Sequence, residues 1–222
     1  MTEPYPYHQP NDLPKTFPVF PLAGALLLPR ARLPLNIFEP RYLNMVDDVL
    51  SSERLIGMIQ PTDPEANPPA PPLYPVGCAG RITSFTETGD GRYLITLTGV
   101  CRYRIEKELS SLVPYRQVTA DFAAYADDLR PTDDDKNVDR KRLLKMLKIY
   151  LETQNLETDW ESVKQAPGEA LINSLSMICP FGPQEKQALL EAPTLNDRVQ
   201  ILTALIEMAN APNAAGPERP MQ

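Results

Sequence analysis

Prolines decide what the first half of this chain can become. Of its 222 residues, 25 are proline, where average usage is about 5%. Most lie in the first forty residues and in segment 61–75. The apolar runs at 17–20, 25–28 and 33–37 are cut by Pro18, Pro21, Pro29 and Pro34. A proline donates no ladder hydrogen bond, so these runs are excluded from the centre of a regular sheet. They suit short, bent strands at the edges and corners of a small barrel.

The rest of the first half follows by pattern. Pro40 sits where a first helical turn tolerates a missing N–H, and Leu43, Val46, Val49 and Leu50 recur at helical spacing. Glu39 stands at that helix start, where the dipole favours a carboxylate. Residues 54–60 read as a strand, and 61–75 as a proline-rich loop stiffened toward polyproline II. Segments 76–88 and 92–100 flank Gly89-Asp90-Gly91, a hairpin signal. Beyond it Cys101, Tyr103 and Ile105 alternate with Arg102 and Arg104, which predicts a strand with one wet face. Residues 115–122 close the set. Many short strands with Gly/Pro corners predict a small twisted barrel over 16–126.

From about residue 127 the pattern changes. Acidic, linker-like residues precede a run with Leu143, Leu144, Leu147, Tyr150 and Leu151 on one helical face. Helices are expected near 159–166, 168–178, 183–192 and 195–209. Pro183 fits a first helical position, and Thr194 with Asp197 makes a capping-box signal. The fold class is therefore α+β: a β-barrel subdomain over 16–126, then an all-α helical subdomain over 127–210. A loose arm is expected over 1–15 and a disordered tail over 211–222.

Composition limits the chemistry. Twenty-two basic against 29 acidic residues give a formal charge of −7, which disfavours nucleic acid as the main partner. The single histidine, His8, lies in the arm and removes the commonest general base and metal ligand. Cys78, Cys101 and Cys179 have neither zinc nor disulfide-framework spacing, and packing is their expected role. No catalytic, cofactor or metal site is expected, and the chain reads as a non-enzyme. Residues 22–28 are too short to span a bilayer and lack a signal peptide's flanks. No membrane association is expected, and a cytoplasmic location is.

The ordered set FPVFPL, ALLLP, PLNIFEPRY, GMIQP, VGCAGRI, LTGVCRYRI, with Gly99 and Arg102 as a Gly-x-x-Arg motif, and PFGPQEKQALLEAPTLNDRVQILTALIE resembles the N-terminal domain of the Lon protease family over roughly residues 17–208. The FEPRY form is most similar to short, stand-alone members. The resemblance implies a PUA-like barrel joined to a helical bundle. It also implies engagement of exposed or unfolded protein segments, with a protease or chaperone machine as a further partner class. No Gly-x-x-x-x-Gly-Lys-Ser/Thr phosphate loop occurs, so ATPase and protease activity do not carry over. Glu39, Arg41 and Tyr42 become candidates for the rim of a peptide-binding groove, because the matching family segment is implicated in substrate contact. Two other readings stay open: RNA binding through a PUA-like barrel, and an adaptor or assembly factor acting through its helices.

Overall fold

A computed structural model describes residues 7–63, 71–130, 140–153, 160, 163 and 167–210. The chain divides into two compact units, Met1–Pro131 with Met177–Glu191, and Thr132–Ser176 with Ala192–Gln222.

In the first unit six strands make one sheet: β1 (Thr16–Pro21), β2 (Arg32–Ile37), β3 (Leu55–Ile59), β4 (Val76–Glu87), β5 (Tyr93–Leu109) and β6 (Arg116–Asp121), with helix α1 (Pro40–Leu50) after β2. Their order is β2-β5-β4-β3-β1-β6, and β6 also pairs with β5. The sheet thus closes nearly into a ring, as the Gly/Pro corners predict. The long β5 allows closure. Its first half pairs with β2 through Leu33↔Leu97, and its second half pairs with β6 through Ile105↔Ala120. Register shifts at Ala79/Gly80, Ile82/Ser84 and Ile105/Lys107 mark the bends. Only β1 and β3 run parallel; the connection between them carries β2 and α1.

The ring is filled by side chains that alternate inward. Phe17, Val19, Leu55, Ala79, Tyr103, Val118 and Phe122 are buried in one cluster. Phe17 meets Tyr103 edge-on at 5.0 Å, a favoured aromatic geometry. The Tyr103 hydroxyl is buried without a hydrogen-bond partner among the described residues. It occupies space that a side chain on Gly57 would fill, at 2.5 Å from where a Cβ would lie.

Two differences from expectation have physical causes. Residues 25–28 do not form a strand, although Leu26, Leu27 and Leu28 are buried. Their backbone runs tight against β5, and a Cβ on Gly99 would collide with the Leu28 carbonyl. Residues 7–15 of the expected arm follow a defined course: Tyr7 and Leu13 join the ring's core, and Asp12 accepts from the backbone N–H of His8 and Gln9. The loop over 61–75 is tied at its ends, where Pro61 bridges Leu73 and Thr62 N–H donates to Pro72; residues 64–70 lie outside the described residues.

Arg102 overturns the wet-face reading most sharply. It is 5% exposed and Asp128 is 7%. Its Nε and Nη2 each donate to the Asp128 carboxylate at 2.8 Å, and its backbone N–H donates to the same group at 3.0 Å. Nη1 reaches the Leu190 carbonyl at 3.1 Å. Asp128 belongs to a 3-10 stretch (Ala123–Leu129) following β6, and its acidity marks an ion-pair partner where linker character was expected. Leu190 lies on a helix (Pro183–Glu191) that packs in this same unit. Gln187 of that helix donates to the Val76 carbonyl, and Gln60 donates to Pro183.

In the second unit α2 (Arg140–Thr153) packs with a later helix, Leu195–Ala209. In chain order the remaining helices are α3 (Gly168–Ile178), α4 (Pro183–Glu191) and α5 (Leu195–Ala209). Leu147, Ile172, Leu202 and Ile206 are buried, and Arg198 donates to Asn173 at 3.1 Å in the interior. The Thr194–Asp197 box caps α5 as its spacing predicts. Of the helix expected at 159–166, only Trp160 and Val163 are described, both helical. The tail over 211–222 lies outside the described residues.

Two outcomes test these contacts. Asp128→Asn strands a buried guanidinium and is expected to cost about 3–5 kcal/mol in urea unfolding, whereas Arg102→Met with Asp128→Leu together cost less than either change alone. Tyr103→Phe removes a buried, unpaired hydroxyl and is expected to be neutral or stabilising, while Gly57→Ala destabilises by about 1–3 kcal/mol. Part of the Gly57→Ala loss is recovered in the Tyr103→Phe background.

Candidate protein-binding surface

The ring does not use the whole of its strands. β3 pairs with β4 only as far as Leu55↔Arg81, with Ile82 N–H donating to the Arg54 carbonyl. Beyond that point β4 pairs with β5 alone, and β5 with β2 on its other side. The result is a three-stranded flap continuous with the ring. Its β4–β5 turn is held by Thr88 N–H to the Arg92 carbonyl and by Gly91 at φ 77°, a left-handed conformation that glycine adopts without strain.

Directly paired residues share a face, and successive residues alternate. The register therefore assigns each flap residue a side. Ile37, Tyr93 and Glu87 share one face, with Leu35, Ile95 and Phe85. The Asp47 carboxylate on α1 raises the Tyr93 phenol's pKa, so this is the face that α1 attends. The opposite face carries Asn36, Leu94 and Thr86 in one row and Pro34, Thr96 and Ser84 in the next. Phe38 and Arg92 extend it, with the guanidinium 5.8 Å from the ring centroid. Phe38 is 61% exposed and Leu94 47%. Two large apolar side chains thus stand open, Leu94 on this face and Phe38 just beyond the end of β2.

The flap has two free backbone edges, and they differ. Gly99 N–H donates to Ala31, and hydrogen-bonded pairs recur at every second residue of an antiparallel ladder. Even-numbered residues of β2 therefore turn their backbone groups outward. Pro34 is one of them, so its missing N–H blunts that edge. On the other side, Thr83–Glu87 of β4 are exposed and, among the described residues, pair only with β5.

Glu39, Arg41 and Tyr42 come together at the start of α1, just after β2, in unequal positions. Glu39 is the N-cap of α1, but its side chain makes no capping bond. Its carboxylate instead pairs with Arg41 at 2.7 Å, both side chains being nearly half exposed. Tyr42 is 6% exposed. Its ring packs on Phe20 with centroids 4.2 Å apart, and the Arg41 guanidinium lies over it at 4.7 Å. Burial raises the Tyr42 phenol's pKa, with Arg41 opposing. Glu39 and Arg41 are available to a ligand, while Tyr42 acts as their packed base. Phe38, Arg92 and Leu94 escaped sequence reasoning. Their signal is a break in alternation: Ile37-Phe38 and Tyr93-Leu94-Ile95 place apolar residues consecutively on strands, which forces one outward.

Elsewhere the chemistry is quiet. Cys78, Cys101 and Cys179 form no disulfide and are buried. Burial pushes the Cys179 thiol up to about 11 and holds Cys101 well above the usual thiol range, which suppresses thiolate reactivity. Among the described residues no cluster of three His, Cys, Asp or Glu is positioned to hold a metal ion. No helix among them is long and apolar enough to cross a membrane.

Comparison with known proteins fits this architecture. Lon protease 2 of Myxococcus xanthus is 24% identical over 88% of this chain and 24% of its own length. Lon protease 2 of Sorangium cellulosum is 33% identical over 48% of this chain and 13% of its own length. The chain thus spans about a quarter or less of these relatives. Among solved structures, a Lon N-terminal domain protein from Xanthomonas campestris covers 86% of this chain with a TM-score of 0.56 at 20% identity, matched over 97% of its own length. The N-terminal domain of Mycobacterium avium complex Lon protease covers 87% with a TM-score of 0.62 at 17% identity, matched over 98% of its own length. Both likenesses are of fold. The model of the ATP-dependent protease La (LON) substrate-binding domain matches residues 16–208, and with a ring-closed sheet followed by helices, this chain belongs to that family.

Proposed function

We propose that this chain is a non-catalytic binding module that engages exposed or unfolded segments of other proteins, and that the open flap face is where it does so. The family's substrate-binding designation supports the partner class. The observation that carries the choice of surface is the exposure of Leu94, 47%, on the flap and of Phe38, 61%, just beyond the end of β2 beside Arg92. Exposed apolar side chains on a rigid support bind other apolar side chains by removing both from water.

Backbone pairing adds to this at one edge. An extended segment can lengthen the sheet beside Thr83–Glu87 of β4, where donors and acceptors are free. The β2 edge is a poor template because Pro34 interrupts it. Glu39 and Arg41 border the face and contribute polar contacts, with Tyr42 holding Arg41 in place. A nucleic-acid partner is disfavoured by the net charge of −7.

The test uses a reduced, carboxymethylated protein that stays unfolded, labelled for fluorescence anisotropy. Native chain is expected to bind it in the micromolar range. Phe38→Ser with Leu94→Ser, both at exposed positions, is expected to weaken binding by about tenfold or more, equivalent to about 1.4 kcal/mol, with unfolding unchanged. Arg41→Gln is expected to weaken it by only about two- to threefold, since exposed ion pairs contribute little. Unchanged affinity in the Phe38/Leu94 variant would remove the flap face from the reading.

A further inference from the structure

The open flap face differs in charge from the chain that carries it. None of its positions on β2, β5 or β4 is a carboxylate: Arg32, Pro34 and Asn36 lie on the first strand, Arg92, Leu94, Thr96 and Thr98 on the second, and Arg81, Ser84 and Thr86 on the third. The flap's own strand carboxylate, Glu87, registers with Tyr93 on the face toward α1. Arg32 is exposed at one end of the face, and Arg92 stands at the other beside Phe38. Six residues of extended strand separate their positions, about 20 Å. Arg41 follows Phe38 by three residues, at the start of α1.

Two carboxylates accompany these three guanidiniums. Asp90 contacts Arg92 at 3.1 Å, with side chains 60% and 51% exposed, and Glu39 contacts Arg41 at 2.7 Å. Both pairs are solvent-exposed, and such pairs are weak enough to exchange partners. Arg32 adds a further positive charge with no carboxylate on its face. A chain of formal charge −7 therefore presents its open apolar face on a locally basic background.

We infer that the flap face selects extended segments in which apolar side chains are flanked by aspartate or glutamate, discriminating against lysine- and arginine-flanked segments of equal apolarity. This rests on the binding reading above and assigns its client chemistry. Apolar side chains of the client cover Phe38 and Leu94, while its carboxylates meet Arg32 at one end and Arg92 and Arg41 at the other. The guanidinium's planar fork suits carboxylates in two-point contact. The sign is diagnostic, because the chain's overall charge on its own attracts basic segments and repels acidic ones. A preference for acidic clients can arise only from a local feature within about one screening length, roughly 10 Å at ordinary salt.

Three labelled peptides of about twelve residues, identical in Phe and Leu content and flanked by Glu, Gln or Lys, decide the matter when titrated against the full chain at about 50 mM and about 500 mM salt. The Glu-flanked peptide is expected to bind about tenfold more tightly than the Lys-flanked one at low salt, with the gap closing to about threefold or less at high salt. Arg32→Gln with Arg92→Gln is expected to abolish the preference while the Gln-flanked peptide still binds. Binding of all three peptides with equal affinity, or tighter binding of the Lys-flanked peptide, overturns the inference and leaves the binding reading standing. A preference that survives in the double variant also overturns it, because the flap arginines are then not its source. Failure of all three to bind removes the binding reading and this inference with it.

Discussion

The Arg102–Asp128 pair is the constraint on which the first unit depends. A guanidinium enclosed in protein is tolerable only when its donors are matched, because isolated buried charge is costly. Here the matching groups come from two separate places in the chain. Asp128 supplies both carboxylate oxygens from the 3-10 stretch after β6, Leu190 supplies a carbonyl from α4, and Tyr125 lies under the guanidinium at 4.5 Å. The strand, the segment leaving the ring and a helix some ninety residues later must all be present before Arg102 is satisfied. A lysine cannot substitute, since the contact is a planar fork against a carboxylate with further donors aimed elsewhere. The same logic explains why α4 groups with the ring, although the sequence places it deep within a helical half: Gln60, Val76 and Arg102 each use it as a hydrogen-bond partner.

What could be read in advance and what could not divide along sequence separation. Local signals were sufficient for α1 behind Pro40, the β4–β5 hairpin around its Gly/Asp turn, Pro183 at the start of α4 and the Thr194 cap. The proline spacing pointed to bent edge strands, and the sheet does close nearly into a ring. Long-range pairing was illegible. Arg102 alternates in sequence like a solvent-facing residue, and nothing near it announces a carboxylate twenty-six positions on. Leu26–Leu28 have strand composition but give their interior position to irregular backbone pressed against Gly99. The candidate site shows the same split. Glu39 and Arg41 stand out through a resemblance and pair with each other at the start of α1, whereas Leu94 becomes visible only once the register assigns it a face and Phe38 only once its exposure is known.

The ring and the flap divide the work. Within the ring, aromatic packing around Tyr103 and the buried ion pair give a support with few alternative arrangements. The flap shares strands β4 and β5 with that support, so its open face inherits the twist and spacing of a sheet fixed elsewhere. A binding surface built this way loses little conformational entropy when a flexible segment settles on it, and the ordering cost falls mainly on the incoming chain. That arrangement suits a family defined by its substrate-binding domain.

Pro34 carries a consequence for the molecule's own solubility. A surface that welcomes extended polypeptide is also a surface on which copies of the same protein can stack, strand upon strand, into fibrils. Natural sheets guard against this with charge or proline on their outermost strands. By placing a residue without an N–H in the outward position of β2, between exposed Arg32 and Asn36, the chain denies a neighbour the unbroken run of donors that polymerisation needs. That protection covers the β2 edge alone, so strand-on-strand growth of this protein has only the Thr83–Glu87 edge of β4 to start from on the flap.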